Sequence, residues 1–193
     1  MIHDTARQDG FVPAMTLLYA ELGACEAVFG PRGFALVPAS IPYGAAETVE
    51  FSVLSPADLV VIRRRAGTDT TAPGAAWAQA LTWLRLGVSA GLLDTTLNHL
   101  KERATAGAPL LGRQMVQGAL ADVAGLQLEV GAVLSHTPGL PAAMRTALNE
   151  RVTQADQILL TLLGACGFVA DGPGKAAYLS ELIDDVYLVE AGA

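Results

Sequence analysis

The chain has 193 residues, of which 52% are hydrophobic and 16% are charged, and its formal net charge is −7. This length fits one domain, with or without a small appendage, and the apolar content excludes a disordered chain. The acidic balance, with a pI of about 4.8, argues against a nucleic-acid-binding protein, because phosphate contacts need clustered lysines and arginines. A mean hydropathy of +0.40 predicts that a subunit interface covers part of the apolar surface.

The hydropathy and cysteine patterns predict a cytoplasmic protein without a membrane span. The longest apolar run, residues 158–169, is well short of the roughly 20 residues that a span needs. The first residues lack the basic and then apolar order of a secretory signal. Two cysteines, Cys25 and Cys166, are too few for a disulfide framework or a metal site, so we expect buried, reduced thiols.

The N-terminal third is predicted to contain short β-strands. Residues 33–39 and 48–54 are typical of strands, and the second alternates apolar and polar side chains. Residues 11–25 fit either a short helix or a loop with a helical turn. We predict that this segment covers residues 1–66 and that the polar, breaker-rich residues 67–74 form a linker.

The remainder, residues 75–193, has helical periodicity. Four helices are predicted over residues 75–106, 111–134, 142–163 and 175–189, separated by glycine- and proline-containing connections. Short connections between long helices are typical of an antiparallel bundle. The predicted fold is therefore mainly α: an antiparallel four-helix bundle preceded by a short β-strand-containing N-terminal segment.

Residues 85–123 (RLGVSAGLLDTTLNHLKERATAGAPLLGRQMVQGALADV) resemble the C-terminal helical domain of acyl-CoA dehydrogenases. That family has a helix ending in R-x-x-F-G-x-P-L, followed by a Q-x-x-Q-x-x-L-A-D-M helix. This chain matches the spacing without a gap at nine positions: Arg103, Gly107, Pro109, Leu110, Gln114, Gln117, Leu120, Ala121 and Asp122. The segments 49–60 (VEFSVLSPADLV) and 162–173 (LLGACGFVADGP) resemble the end of the family's middle β-domain and its glycine-rich connector.

The resemblance implies a truncated and degenerate family member. Residues 1–66 would be a short remnant of the β-domain, and residues 75–193 would be the C-terminal bundle. The family's N-terminal helical domain has no counterpart, and neither does the T-E-P-x-x-G-S-D type segment of the β-domain that packs on the flavin.

The resemblance also implies cofactor-binding residues for flavin adenine dinucleotide (FAD). Arg103 occupies the family position that contacts the FAD of a neighbouring subunit, with Thr105, Arg113 and Gln114 close by in sequence. An arginine suits this role because its planar guanidinium can pair with two phosphate oxygens. A solvated charge at a helix end is the alternative for Arg103. Ala106 stands where the family has phenylalanine, which weakens the case for a complete flavin site.

The glycine connector carries the other two predicted FAD contacts, Gly164 and Gly167. Glycine lets a backbone approach a pyrophosphate closely. Ala165 replaces the second glycine of the family's pair, and Thr161 replaces its glutamine. A plain helix-ending turn would explain Gly164 and Gly167 equally well.

The catalytic base is the weakest part of the resemblance. Family members remove an α-proton of an acyl thioester with a glutamate near the end of the last helix, and that position is Leu188. Other members place the glutamate on the first bundle helix, where this chain has Leu84. Glu190, two residues beyond Leu188, is the remaining candidate. Asp184 and Asp185 are expected at a solvated helix end, and His99 and His136 are not at metal-ligand spacing, so no metal site is predicted.

The favoured hypothesis is an accessory subunit of a flavin-dependent acyl-thioester dehydrogenase, an oxidoreductase acting on CH–CH donors, in a heteromeric complex. The chain would help to bind FAD while a full-length acyl-CoA dehydrogenase-like partner supplies the base. One alternative is a flavin-free bundle that binds or transforms an acyl or polyketide-like ligand in a non-redox step, with Glu190 or Asp185 as acid or base. Another is a self-associating flavoprotein that uses Glu190, and the last is an interaction module without a ligand.

Overall fold

Helices form most of the computed structural model of the chain, which describes residues 1–24, 27–44, 46–50, 58–65, 73–105, 107–169 and 172–188. Two short helices begin the chain, α1 (Ile2–Gln8) and α2 (Phe11–Glu21). The sequence of residues 11–25 fits either a helix or a loop, and the structure shows the helix α2. Helix α1 was not predicted. Helix α1 packs on the first bundle helix at Gly87, where any side chain would collide with the carbonyl oxygen of His3.

A three-stranded antiparallel sheet follows, with strands β1 (Phe34–Pro38), β2 (Glu47–Val49) and β3 (Leu59–Arg63) in the order β1-β3-β2. Strand β1 lies within the predicted strand 33–39. Strand β2 overlaps the predicted strand 48–54 at residues 48–49, and residues 51–54 lie outside the described residues. Strand β3 was not predicted, although its sequence LVVIR has the β-branched composition of a central strand.

The bundle consists of α3 (Ala75–Glu102), α4 (Gln114–His136), α5 (Ala142–Leu163) and α6 (Gly174–Ile183). The four predicted helices are therefore present, and α5 has the predicted bounds. Helix α3 ends four residues before its predicted end because Arg103 has extended backbone angles (φ −101°, ψ 137°). Helix α6 continues as one π-helical turn over Asp184–Leu188.

Two apolar clusters inside the bundle establish its helix directions. One contains Leu86 of α3, Val130 and Leu134 of α4, and Leu148 and Val152 of α5. The other contains residues further along α3 and α5 but earlier in α4: Leu92, Val123, Ala155, Leu159, Leu163 and Ala177. Thus α4 runs opposite to α3 and α5, as an antiparallel bundle requires.

The largest apolar cluster joins the N-terminal segment to the bundle. It contains buried residues from α1, α2, the sheet, α3 and the end of α6. Tyr187, in the π-helical turn after α6, connects the bundle to strand β1. Its hydroxyl accepts a hydrogen bond from Leu36 N and donates one to Leu36 O, each 3.0 Å long. The rings of Tyr19, Trp77 and Tyr187 pack against one another beside this contact.

Candidate functional site

The segment 103–114, here called the corner, connects α3 to α4 through a minimal hairpin. Strands β4 (Ala104–Thr105) and β5 (Ala108–Pro109) pair antiparallel, and Gly107 turns the chain with a φ of +76°, which favours glycine. Leu110 N donates to Arg103 O at 2.9 Å, and the Arg113 guanidinium donates to Thr105 O at 2.7 Å. These contacts hold Arg103, Thr105 and Arg113 close to Gln114, the first residue of α4.

The corner is exposed and cationic. The side chains of Arg103, Thr105, Arg113 and Gln114 all lie at the surface. Arg103 Nη1 lies 3.4 Å from His99 Nε2, and in the described ranges no carboxylate forms an ion pair with Arg103 or Arg113. Two guanidinium groups without a carboxylate partner, beside the N-terminus of α4, suit a phosphate-bearing group such as FAD. Ala106 lies outside the described residues.

The glycine connector, residues 164–174, has reasons for its glycines within the chain itself. Gly164 ends α5 with a φ of +57°. A Cβ atom on Gly167 would press on Leu160, and one on Gly174 would collide with the carbonyl oxygen of Gly167. The last two glycines therefore allow the connector to pack closely against α5 and the start of α6. The connector joins α5 to α6, whereas the corner joins α3 to α4. Cys166 of the connector is exposed, so the expectation of a buried thiol is wrong there, and Cys25 lies outside the described residues.

Neither usual position of the family's base offers a carboxylate here. Leu84 is fully buried in the largest apolar cluster, and Leu188 is partly buried against it. Glu190 lies outside the described residues.

A buried polar cluster lies between α3, α5 and α6, and sequence analysis did not find it. Arg85 at its centre has no exposed side-chain surface. Its guanidinium donates to Ser180 Oγ at 3.1 Å, Asn149 Oδ1 at 3.1 Å and Thr153 Oγ1 at 2.7 Å. Its Nη1 atom also pairs with Asp184 Oδ1 at 3.0 Å. The available signal was the polar side chains of Thr82, Arg85 and Ser89, which recur at helical spacing along an otherwise apolar stretch of α3.

The expectation of a solvated Asp184 is wrong. The side chain is only 31% exposed and faces Arg85 across the interface between α3 and the end of α6. Burial raises the pKa of Asp184, and the Arg85 charge lowers it again. Burial likewise lowers the pKa of Arg85 against the attraction of Asp184. Loss of hydration therefore outweighs attraction at both partners, as expected for ions taken out of water.

A pocket of about 230 Å³ lies beside this cluster, between α5, α6 and the connector; we call it the bundle pocket. Its lining includes Arg85, Asp156, Leu160, Gly167, Phe168 and Glu181. Asp156 is 4% exposed, and its Oδ1 atom has no hydrogen-bond partner among the described residues. Burial raises its pKa to about 6, although a hydrogen bond from Ser89 and the charge of Arg85 act in the opposite direction.

Helix α4 is the most exposed part of the bundle. Only Val123, Val130 and Leu134 are buried, while Met115 is 89% exposed and Leu128 is 74% exposed. By length and hydropathy alone α4 is also the one helix of the described ranges that could cross a membrane, a match that sequence analysis did not report. Among those residues, no group of three His, Cys, Asp or Glu side chains could hold a metal ion.

Comparisons with known proteins point to one family. The chain is 29% identical over 114 residues to the mitochondrial short-chain specific acyl-CoA dehydrogenase of Sus scrofa, and 30% identical over 113 residues to that of Homo sapiens. Each alignment covers 53% of this chain and 27% of the relative, so the chain matches only about a quarter of these enzymes. No protein-family profile matches the chain.

Solved structures with the same fold support this likeness. A variant of the Tcur3481-Tcur3483 steroid ACAD superposes with a TM-score of 0.57 at 22% identity, over 72% of this chain and 43% of that one. FkbI, which serves biosynthesis of the methoxymalonyl extender unit of the Fk520 polyketide, superposes with a TM-score of 0.54 at 19% identity. That match covers 72% of this chain and 46% of FkbI.

Proposed function

We propose that this chain, which resembles acyl-CoA dehydrogenases over about half its length and shares their fold, is an accessory subunit of a flavin-dependent acyl-thioester dehydrogenase. The chain would dock against a full-length acyl-CoA dehydrogenase-like subunit in the cytoplasm. It would bind part of that subunit's FAD, and the partner would supply the base. The proposal divides the chain into a β-domain remnant over residues 1–66, a linker over residues 67–74 and the bundle over residues 75–193.

The exposed cationic corner is the observation that carries this proposal. Arg103 and Arg113 present guanidinium groups at the surface, and the hydrogen bond from Arg113 to Thr105 O keeps the hairpin and the start of α4 together. Arginine pairs with phosphate oxygens through two parallel hydrogen bonds. Bound flavin would supply the hydride acceptor, while Arg103, Thr105, Arg113 and Gln114 would hold its phosphates. Gly164 and Gly167 are secondary candidates, because packing within the chain already accounts for them.

Exposed apolar side chains on α4 support a partner. Met115 and Leu128 lie on this helix, which begins at the corner, so a subunit that covers the helix would come close to the two arginines. Exposed apolar side chains on a helix next to a charged group are typical of a docking surface. Self-association through α4 is the alternative arrangement, with Glu190 as the base of a self-contained flavoprotein.

The visible absorbance spectrum of the purified chain, alone and co-expressed with a full-length acyl-CoA dehydrogenase-like protein, tests the proposal. We expect flavin bands near 370 and 450 nm (approximate values for a flavin chromophore) only in the co-purified complex. Arg103→Ala and Arg113→Ala should lower the flavin content of that complex, whereas Arg32→Ala, a change at another exposed arginine, should not. Flavin in the chain alone would favour the self-contained enzyme and make Glu190→Gln the next variant.

A second candidate function is a flavin-free bundle that binds or transforms an acyl or polyketide-like ligand in a non-redox step. Ala106 and Ala165 favour it, because they stand where the family has the phenylalanine and the glycine of its flavin site. Absence of flavin from both the chain and the co-expressed complex would contradict the accessory subunit and leave this candidate.

A further inference from the structure

The bundle pocket contains a polar atom that the chain leaves unsatisfied. Asp156 lies on α5 with 4% of its surface exposed, it lines the pocket, and its Oδ1 atom has no hydrogen-bond partner among the described residues. A buried carboxylate without a donor is costly, so native proteins normally provide one. Ser89 hydrogen-bonds this carboxyl and itself accepts a hydrogen bond from Gln127 at 2.9 Å, so the carboxyl is held in a network.

The charge around the pocket is unbalanced toward the negative. Among the described residues Arg85 is the one cation that lines it, and its guanidinium is already engaged by Asp184 at 3.0 Å and by three neutral side chains. Glu181 of α6 is a second carboxylate in the lining and raises the pKa of Asp156, whereas Arg85 of α3 lowers it. The negative charge of Asp185 also acts on Arg85 and raises its pKa. The carboxylates therefore outnumber the cation, and a neutral donor such as a hydroxyl would leave that excess in place.

The remaining lining is mainly apolar and aromatic, with Thr153 and Gln157 as its neutral polar members. Leu160 and Ala177 lie in the lining beside the carboxyl, while Phe168 and Tyr178 are 75% and 38% exposed. The exposed rings therefore lie toward the mouth of the pocket. A ligand that pairs with Asp156 would place its other end against these side chains.

We propose that the bundle pocket binds a small cationic amphiphile, a primary ammonium group on an apolar body, with the ammonium paired to the Asp156 carboxylate. This inference is independent of the proposed FAD role, because the corner carries two arginines and would take an anionic group. Arg85 lies on α3, and Arg103 directly follows this helix 18 residues later, a separation of roughly 27 Å along a helix.

Three probes of nearly equal size test the proposal: benzylamine, benzyl alcohol and toluene, titrated calorimetrically into the full chain. They share the aromatic ring and differ in whether they carry an ammonium, a hydroxyl or neither. We expect benzylamine to bind at pH 7.5 at least tenfold more tightly than the other two. Between pH 7.5 and pH 5.0 its affinity should fall about tenfold, since a carboxyl of pKa about 6 is mostly protonated at the lower pH.

Two variants and one measurement on the unaltered chain complete the test. Asp156→Asn should weaken benzylamine binding at least tenfold and remove its pH dependence, and Arg103→Ala should leave both unchanged. Near pH 6, benzylamine binding to the unaltered chain should release a proton, which titrations in buffers of different ionisation enthalpy detect even if Asp156→Asn fails to fold. Equal binding of benzyl alcohol would overturn the cationic ligand. Binding by none of the three, or benzylamine binding without proton release, would overturn the site.

Discussion

The corner and the bundle pocket are polar regions of one helical bundle, yet they are built in opposite ways. The corner holds exposed arginines between α3 and α4, with no carboxylate paired to them in the described ranges. The bundle pocket holds the buried Asp156 beside Arg85 of α3, which pairs with the half-buried Asp184 next to the pocket. Charge at the corner therefore costs little and is free to meet a ligand, whereas charge at the pocket affects the free energy of unfolding directly.

Arg85→Ala should produce the largest effect. It would remove the guanidinium that pairs with Asp184 and satisfies Ser180, Asn149 and Thr153, and leave the carboxylate unpaired between helices. Breaking a buried pair in this way costs about 3–5 kcal/mol of the free energy of unfolding. Unfolding in guanidinium chloride measures this loss in the free energy of unfolding. Arg151→Ala, which removes the exposed ion pair with Glu129, should cost less than about 1 kcal/mol, and similar losses from both variants would contradict the distinction.

Asp156→Asn should have a smaller effect that depends on pH. The folded pKa of Asp156 is about 6, above its ordinary value of 3.8, so the folded chain holds this proton more tightly than the unfolded chain. The contribution to stability is complete below about pH 4 and is lost as the pH rises through 6, by up to roughly 3 kcal/mol. The asparagine variant should therefore be more stable than the parent at pH 7.5 and lose that advantage near pH 4.

The control for this prediction is Glu181→Gln, since Glu181 lines the same pocket but is exposed. It should alter the pH dependence of unfolding far less than Asp156→Asn. Some pH dependence should persist in either variant, because burial also raises the pKa of Asp184. Parallel stability curves for the parent and Asp156→Asn across this pH range would contradict the raised pKa.

The two regions also differ in how far the sequence could predict them. The corner is local: the Arg103 to Gln114 segment is continuous in sequence, so its motif and its glycine turn could be recognised directly, although the two helix ends lie three or four residues from their predicted positions. The buried polar cluster joins Arg85, Asn149 and Ser180, which the fold brings together from three helices. Helical periodicity predicts that each of these helices exists, but it does not predict which buried polar side chains will meet.

The N-terminal segment shows the same limit. Strand β1 could be predicted from its apolar run and bounding prolines, whereas α1 is a seven-residue helix that depends on packing against α3. Isolated helices of that length are unstable in water, so their propensity alone gives little signal. The contact between Tyr187 and Leu36 spans 151 residues, and no local pattern announces it.

Tyr187→Phe should cost about 1–3 kcal/mol, less than Arg85→Ala, because it removes a neutral hydroxyl instead of a charge. The buried Leu36 N–H and C=O groups would both lose their partner on Tyr187. Thermal unfolding followed by circular dichroism measures the loss. Tyr178→Phe removes a hydroxyl from a 38% exposed tyrosine and should change the midpoint little, and equal losses would show that the β1 contact contributes nothing specific.

The smallest expected effect is a gain in stability, and it is found by comparing Gly118 of α4 with Gly87 of α3. Gly118 lies one turn after the corner in α4, and an added Cβ there would meet no other atom within 4 Å. Gly118→Ala should therefore stabilise the isolated chain by about 0.5–1 kcal/mol, because alanine loses less backbone entropy in a helix. Gly87→Ala should destabilise it, since the new Cβ would collide with His3 O where α1 packs on α3. Both changes raise helix propensity equally, so an opposite sign in chemical unfolding isolates packing as the cause, and a gain in both would mean that α1 does not pack at Gly87 in solution.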